Sequence, residues 1–236
     1  MKNSYALRTH SAGLDYYGES RPARETAWDF FEFMPVDRQS LVCSVGRING
    51  RGISAAFTMA SLQAFLRSLT RHHRGGFAAV VRDLNRAVCE IAPDSFYATL
   101  FYASFDPERA QLHYVSAGHG PVLLLRRGEP RVRRLENTGT VLGLSLRVEF
   151  RQRTLDLQPG DLILAMTDGV TDALREEDIL RILEGGPGRR PFDCVRGILD
   201  AARGGEDRTA VAVRFDGRGE TRMFEVEAAE AACCAA

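Results

Sequence analysis

An aspartate followed by glycine stands at the end of an apolar segment, in a position suited to binding a divalent cation. The apolar run Leu162–Met166 is typical of a buried strand, and Asp168 and Gly169 follow it after a single threonine. Carboxylate oxygens are preferred ligands of hard cations, and glycine allows a tight turn beside them. Asp168 is therefore a candidate metal ligand. The alternative is an ordinary aspartate–glycine turn, which this stretch taken alone favours.

Two further acidic positions are candidates for the same chemistry. Glu206 and Asp207 stand just before the last apolar segment, Thr209–Phe215. Asp29 lies within the aromatic segment Trp28–Phe33, where a charge needs a partner if it is buried. The alternative for Asp29 is the solvated face of an edge strand.

The elements that must position these residues change in type along the chain. Residues 14–50 have the pattern of strands joined by polar turns. Helical spacing of apolar residues then appears over Ile53–Leu69 and again over Phe77–Ile91. The first helix is predicted to bury one side that comprises Phe57, Leu62, Phe65, Leu66 and Leu69. The second is predicted to bury Val80, Val81, Leu84, Val88 and Ile91.

Strand patterns return in the second half of the chain, and two more helices interrupt them. The predicted strands are Phe96–Phe105, Leu112–Ala117, Val122–Arg126, Leu162–Met166 and Thr209–Phe215. The predicted helices are Glu176–Glu184 and Phe192–Ala202. Strands at both ends with two helices between them predict an α+β sandwich rather than alternating βαβ units. Residues 1–216 are predicted to form the domain and 217–236 an extension, whose Glu- and Ala-rich tail from about residue 225 is expected to be mobile.

Composition excludes several classes of protein. The 31 Lys and Arg residues balance 31 Asp and Glu residues, so no overall positive charge would attract nucleic acid or an anionic membrane. No apolar run approaches the ~20 residues that a membrane span needs, and the first residues do not resemble a secretory signal. Five cysteines without zinc-site spacing are typical of free thiols in a reducing compartment. We therefore expect a cytoplasmic protein with no nucleic-acid or membrane partner.

Eight short motifs, in order along the chain, identify a family resemblance. The segments that carry it are Arg21–Glu32, Val45–Ala56, Phe96–Tyr102, Ser116–Pro121, Val141–Leu144, Gln158–Asp161, Thr167–Ala173 and Glu206–Thr209. With these motifs the chain, from about Gly13 to Phe215, resembles the metal-dependent PPM-type protein serine/threonine phosphatases of the bacterial SpoIIE/RsbU-like branch.

The resemblance implies a fold, a cofactor and a reaction. The fold would be a four-layer α-β-β-α sandwich with two central antiparallel sheets. Two Mn²⁺ or Mg²⁺ ions would activate water for hydrolysis of phosphoserine or phosphothreonine on a regulatory protein, of the anti-sigma factor antagonist type. By position, the metal ligands would be Asp29, Asp168, Glu206 and the backbone carbonyl of Ile48. Asp207 is a further candidate, because it would compensate for Glu206 by a small shift.

The resemblance fails at one central position. The family has an aspartate that bridges both metals where this chain has Arg47. A guanidinium is always protonated and has no lone pair to offer a cation. At ~4 Å and an effective dielectric constant near 20, each repulsion between Arg47 and a metal ion would amount to several kcal/mol. We therefore expect metal affinity and phosphatase activity to be weak or absent.

Three arrangements of Arg47 follow, in order of preference. Arg47 pairs with Asp168 and Asp29 and takes the place of the metals, or it faces the cleft and binds phosphate directly, or it turns to solvent and leaves one weak metal site. His119, in the glycine-rich turn of the Ser116–Pro121 motif, is expected to be structural rather than catalytic.

Three functional hypotheses remain open from the sequence. The first is a phosphatase that tolerates Arg47. The second is a pseudophosphatase, a regulatory module that binds a phosphorylated partner without turnover. In the third, the chain is the effector of a signalling system whose sensor is a separate protein, since the sequence has no room for the N-terminal sensor domain that the family usually carries.

Overall fold

The structure of the chain is a computed structural model, which describes residues 5–11, 13–23, 28–36, 40–50, 52–72, 76–92, 96–127, 129, 132–183, 190–217 and 227–228. The strands within these residues are β1 (Tyr5–Ser11), β2 (Leu14–Arg21), β3 (Asp29–Pro35), β4 (Leu41–Asn49), β5 (Tyr97–Asp106), β6 (Gln111–Ala117), β7 (Val122–Leu125), β8 (Arg133–Arg134), β9 (Arg153–Asp156), β10 (Leu162–Met166), β11 (Arg208–Phe215) and β12 (Glu227–Ala228). The helices are α1 (Gly52–His72), α2 (Phe77–Ile91), α3 (Asp168–Thr171), α4 (Glu176–Leu183) and α5 (Pro191–Ala201).

The strands form two antiparallel sheets. The seven-stranded sheet has the order β12-β1-β2-β11-β10-β7-β8, and the five-stranded sheet has the order β3-β4-β5-β6-β9. The register of the second sheet places Asp29 of β3 opposite Arg47 of β4, and Arg47 opposite Thr99 of β5. These three residues therefore lie in one row across the sheet.

The inner core fills the space between the two sheets. The five-stranded sheet contributes the buried aromatic rings Phe31, Phe33, Phe101 and Phe105, and the seven-stranded sheet contributes Tyr16, Ile163 and Val213. In β4, Leu41, Cys43 and Val45 belong to this core, whereas Val42 and Ile48 pack on the opposite side with the helices. Burial of one large apolar side chain contributes about 1.5–3 kcal/mol. Because strand residues alternate in direction, Arg47 continues the inward-facing row of β4 at its open end.

Helices cover the outer face of each sheet. Leu62 and Leu66 of α1, with Val81 and Leu84 of α2, pack on the five-stranded sheet. The helices α4 and α5 pack on the seven-stranded sheet through a second outer core. The first turns of both helices have residues that favour a helix N-terminus, since acidic residues occupy the first turn of α4 and a proline begins α5. The predicted four-layer α-β-β-α sandwich with two antiparallel sheets is confirmed.

The predicted buried side of the first helix needs a correction. Leu62 and Leu66 are buried, but Phe57 is 71% exposed and Phe65 is also exposed. Phe57 precedes Leu62 by five residues, which places it about 140° around the helix from Leu62. The buried side of α1 is instead completed by small residues, Ala55, Thr58 and Thr70. In α2, four of the five predicted positions are buried, and Ile91 at its end is exposed.

The predicted tail lies outside the described residues, except for β12. Residues 227 and 228 pair with Arg8 and Leu7 of β1. Within the described residues, none of the helices combines the length and the apolar character that a membrane span requires. The described cysteines, at positions 43, 89 and 194, form no disulfide with one another.

Candidate functional site

The candidate site is a cleft at one end of the sandwich. It lies where the start of β3, the end of β4 and the start of β5 approach the segment after β10 and the loop before β11. The cleft has a volume of about 390 Å³ and is lined by residues that include Arg47, Ile48, Asn49, Thr99, Asp168, Glu206 and Asp207. It therefore brings together all the predicted site residues except Asp29, which is buried directly behind Arg47.

Asp29 is the most deeply buried carboxylate of the site. Its Oδ2 accepts a hydrogen bond of 2.6 Å from the hydroxyl of Thr167, and its Oδ1 has no hydrogen-bond partner among the described residues. Burial raises the pKa of Asp29 to about 7, although the Thr167 hydroxyl and the Arg47 charge act in the opposite direction. Burial thus favours the protonated form of Asp29, and the charge of Arg47 favours its ionised form.

Arg47 stands between two carboxylates. Its NH2 donates to Oε2 of Glu206 at 2.7 Å, and its NH1 lies 3.6 Å from Oδ1 of Asp29 without a hydrogen bond. Its backbone amide donates to the Thr99 hydroxyl at 3.2 Å. Burial by itself would lower the pKa of Arg47, but the charges of Asp29 and Glu206 outweigh burial and raise the pKa. The guanidinium is thus a fixed positive charge in the cleft.

Asp168 faces the cleft from the first turn of α3. Burial raises the pKa of Asp168, and the nearby charge of Arg47 opposes that rise. Arg47 and Asp168 interact through space, yet the ion pairs of the described residues do not include a contact between them. The preferred arrangement, in which Arg47 pairs with Asp29 and Asp168, needs a correction, because Glu206 takes the place of Asp168. Which carboxylate the guanidinium reaches depends on the path of the loop before β11.

Glu206 and Asp207 have different environments although they are adjacent. The Glu206 side chain is 58% exposed and contacts Arg47. Asp207 is buried, and its two oxygens accept hydrogen bonds of 2.6 Å from the backbone amides of Ala23 and Trp28. Gly169 makes this packing possible, since a side chain there would overlap the carbonyl oxygen of Asp207. In this structure Asp207 anchors the chain around residues 23 and 28.

Ile48 lies beside Arg47 on β4. Its amide donates to the carbonyl of Trp28 at 3.0 Å, and its side chain is buried under α1 and α2. Its backbone thus borders the cleft, where its carbonyl was expected to be a ligand. The role of this carbonyl as a metal ligand stays a prediction.

Sequence reasoning missed two threonines that organise the site. Thr167 joins Asp29 to the seven-stranded sheet. Its hydroxyl donates a hydrogen bond to Asp29 and accepts one of 3.0 Å from the backbone amide of Thr209. Thr99 continues the inward-facing row of β5 and lies within 3.2 Å of Nδ1 of His119. A polar residue at the end of an inward-facing apolar row was the available signal for Thr99.

His119 is buried behind Thr99 rather than exposed in the cleft. Its Nε2 has no hydrogen-bond partner among the described residues. Burial lowers the pKa of His119 to about 4, so the imidazole is neutral at neutral pH. This placement agrees with the expected structural role.

The residues present do not fit the two-metal centre that the family resemblance implies. The guanidinium of Arg47 lies between Asp29 and Glu206, and both oxygens of Asp207 are bound to backbone amides. Across the described parts of the chain, no three side chains of His, Cys, Asp or Glu group together in a way that could hold a metal ion. A cation beside Asp29 and Glu206 would meet the positive charge of Arg47, at the position where the family resemblance implies a carboxylate.

Comparison with known proteins finds one matching family model and relatives that are named phosphoserine phosphatases. The family described as stage II sporulation protein E (SpoIIE) matches residues 37–216. Phosphoserine phosphatase RsbU of Bacillus subtilis (strain 168) is 32% identical over 169 residues, which cover 71% of this chain and 49% of RsbU. Phosphoserine phosphatase RsbP of the same organism is 26% identical over 191 residues, which cover 78% of this chain and 45% of RsbP. The chain thus spans about half the length of these two relatives.

Solved structures share the fold at low sequence identity. The RsbU and RsbW domains of a Mycobacterium tuberculosis protein match with a TM-score of 0.77 and 23% identity, over 89% of this chain and 63% of that one. RsbX in complex with magnesium matches with a TM-score of 0.71 and 15% identity, over 89% of this chain and 98% of RsbX. The serine/threonine phosphatase PstP of Mycobacterium tuberculosis matches with a TM-score of 0.67 and 20% identity, over 86% and 99% of the two chains.

Proposed function

Because this chain belongs to the SpoIIE family of PPM-type phosphatases, we propose that it recognises a phosphoserine or phosphothreonine on a regulatory protein and hydrolyses it weakly or not at all. The partner would be of the anti-sigma factor antagonist type, in a signalling pathway that controls a sigma factor. The names of RsbU and RsbP, both phosphoserine phosphatases, support this class of ligand.

One observation carries the proposal, namely the position of the Arg47 guanidinium. It replaces a bridging carboxylate with a cation and pairs with Asp29 and Glu206. A divalent ion bound there would lose one anionic ligand and gain a repulsive neighbour. Mn²⁺ or Mg²⁺ is therefore expected to bind weakly or not at all, and activation of water would be lost with it.

The same residue supports phosphate recognition. A guanidinium binds phosphate oxygens through two parallel hydrogen bonds, which gives both affinity and orientation. Arg47 lines the cleft together with Asn49 and Thr99, whose side chains are further hydrogen-bonding groups for a phosphate. The carboxylates of Asp168 and Glu206 repel an anion. Phosphate recognition therefore depends on how far these carboxylates neutralise the positive charge of Arg47.

A competent phosphatase remains the second candidate. It is favoured by Asp29 and Asp168, which both survive at the positions where the family resemblance places metal ligands. In that case the wild-type protein would turn over phosphopeptides in the presence of Mn²⁺, despite Arg47.

The decisive experiment is Mn²⁺ titration by calorimetry alongside hydrolysis of an aryl phosphate, for the wild-type chain and Arg47→Asp. We expect weak binding and poor turnover in the wild type. Arg47→Asp removes the positive charge and adds the bridging carboxylate, and it should raise metal affinity by ~100-fold or more, together with activity. Without metal it should lower the free energy of unfolding, because several carboxylates then lie close together, and Mn²⁺ should restore that loss.

Two control variants separate the causes. Arg47→Ala removes the charge without adding a ligand, so its metal affinity should fall between the other two and its phosphate affinity should drop. Asp168→Ala should abolish the activity gained by Arg47→Asp. Robust Mn²⁺-dependent turnover in the wild type that Arg47→Asp does not improve would contradict the proposal and favour the second candidate.

A further inference from the structure

The two carboxylates that contact Arg47 are held in different ways. Asp29 is fixed, because its side chain is fully buried, its backbone is part of β3 opposite Arg47, and Thr167 binds its Oδ2. It cannot leave the guanidinium without disrupting the sheet. An incoming anion therefore cannot replace Asp29.

Glu206 is held far less firmly. Its side chain is 58% exposed, and among the described residues its carboxylate hydrogen-bonds only to Arg47. It follows Gly204 and Gly205, and a side chain added at Gly205 would meet no atom within 4 Å. The space around this loop allows the glutamate side chain to rotate away while Asp207 keeps its backbone anchored.

We propose that Glu206 is an internal competing anion for Arg47, and that a phosphate group binds in the cleft by displacing the Glu206 carboxylate from the guanidinium. The inference rests on the proposed function, since it specifies how the recognised phosphate reaches Arg47. An exposed ion pair contributes little to stability, whereas a phosphate dianion forms stronger charge-assisted bonds with a guanidinium. The exchange is thus favourable for a dianion.

This competition sets a threshold that every anion must exceed to bind Arg47, because each must first displace the Glu206 carboxylate. A monoanion such as acetate brings one negative charge, as the glutamate does, and gains little by replacing it. A phosphomonoester brings nearly two charges at neutral pH and does gain. The ligand class selected by the wild-type cleft is accordingly a phosphomonoester dianion.

The test is an NMR titration of the full chain with inorganic phosphate, in EDTA and at mildly alkaline pH, so that no metal mediates binding. In the wild type, phosphate should shift the amide resonances of Arg47 and Gly205. Glu206→Gln keeps the size of the side chain but removes its charge. It should tighten phosphate binding about two- to fivefold, the range that an exposed ion pair typically spans. It should also raise acetate affinity by about the same factor, because both anions displace the same carboxylate from Arg47.

A matched control and a separate variant keep the outcomes distinct. Glu149→Gln removes the same charge from a side chain that is 84% exposed and outside the cleft lining, and it should leave phosphate affinity unchanged. Arg47→Ala tests the proposed function itself, and phosphate binding unaffected by it would refute Arg47 as the anion site. If Arg47→Ala weakens binding but Glu206→Gln does not strengthen it, or Glu149→Gln strengthens it equally, the competition is wrong while the proposed function stands.

Discussion

The cleft has a buried wall and an open wall, and carboxylates behave differently on each. The buried wall comprises Asp207 of the cleft lining with Asp29 and Thr167 behind it, and the open wall comprises Asp168 and Glu206. On the buried wall, three of the four carboxylate oxygens accept short hydrogen bonds from the protein. On the open wall, both carboxylates lie within the field of a single cation, Arg47.

This difference separates the residues that hold the site in place from the residues that determine its charge. The hydrogen bonds of the buried wall join the two sheets and the segment around residues 23 and 28, so they determine where the site is. The open wall determines the charge that a ligand meets. Glu206 and Asp207 are neighbours in sequence, and one belongs to each wall. Substitutions on the buried wall should therefore change stability, and those on the open wall should change binding.

The largest stability effect is expected at Asp207. Asp207→Ala removes a buried acceptor and leaves the amides of Ala23 and Trp28 without their partner. Each hydrogen bond to a charged group contributes about 1.5–3 kcal/mol, so the free energy of unfolding should fall by about 3 kcal/mol or more. Urea unfolding followed by circular dichroism measures it.

Glu206→Ala is the matched control at the next position. It breaks one exposed ion pair, and the free energy of unfolding should change by about 1 kcal/mol or less. Equal losses for the two variants would contradict the division into two walls. Asp207→Asn should lie between them, because the amide keeps one acceptor oxygen.

A smaller loss of stability is expected at Thr167, which connects the two sheets. Thr167→Val keeps the shape but removes the hydroxyl that donates to Asp29 and accepts from the Thr209 amide. The free energy of unfolding should fall by about 2 kcal/mol, and the pKa of Asp29 should rise further. Thr167→Ser retains the hydroxyl and should restore most of the loss. If Thr167→Val is as stable as the wild type, Thr167 does not connect the sheets.

Most of the fold was predictable because its strongest elements have clear periodicity. The predicted bounds Phe77–Ile91 and Leu162–Met166 are those of α2 and β10. The short strands β8 and β9 were missed. They are rich in charged residues and mostly exposed, and β9 joins the five-stranded sheet through backbone hydrogen bonds to β6. Backbone pairing of this kind leaves no hydrophobic pattern to detect.

The site was predictable in composition but not in its contacts. The family motifs led to Asp29, Arg47, Asp168, Glu206 and Asp207, all of which lie in or directly behind the cleft. The partner of Arg47 was only half predicted, because loop geometry rather than spacing brings Glu206 to it. The shifted pKa values of His119 and Asp29 arise from burial, which depends on the packed structure and not on sequence pattern.

The change of stability with pH in the wild-type protein is expected to be small, because two buried groups of the site oppose each other. Asp29 has a pKa of about 7 when folded and near 3.8 in its ordinary state. Between these values the folded protein binds more protons than the unfolded chain, so stability falls as pH rises. His119 has a pKa of about 4 when folded and near 6.5 in its ordinary state. Between those values the unfolded chain binds more protons, so stability falls as pH decreases.

The two slopes have opposite signs over pH 4 to 6.5, and they should largely cancel in the wild-type protein. Asp29→Asn removes one slope, so its free energy of unfolding relative to the wild type should rise with pH, by on the order of 1–2 kcal/mol between pH 5.5 and 7.5. His119→Gln removes the other slope, so its free energy relative to the wild type should rise as pH falls from 6.5 towards 4. Urea unfolding of the three proteins across this range measures both differences. Since each comparison uses the change with pH, a constant loss from altered packing does not affect it. A pH-independent difference between Asp29→Asn and the wild type would mean that Asp29 is ionised throughout, so the buried wall would then hold a full negative charge against Arg47.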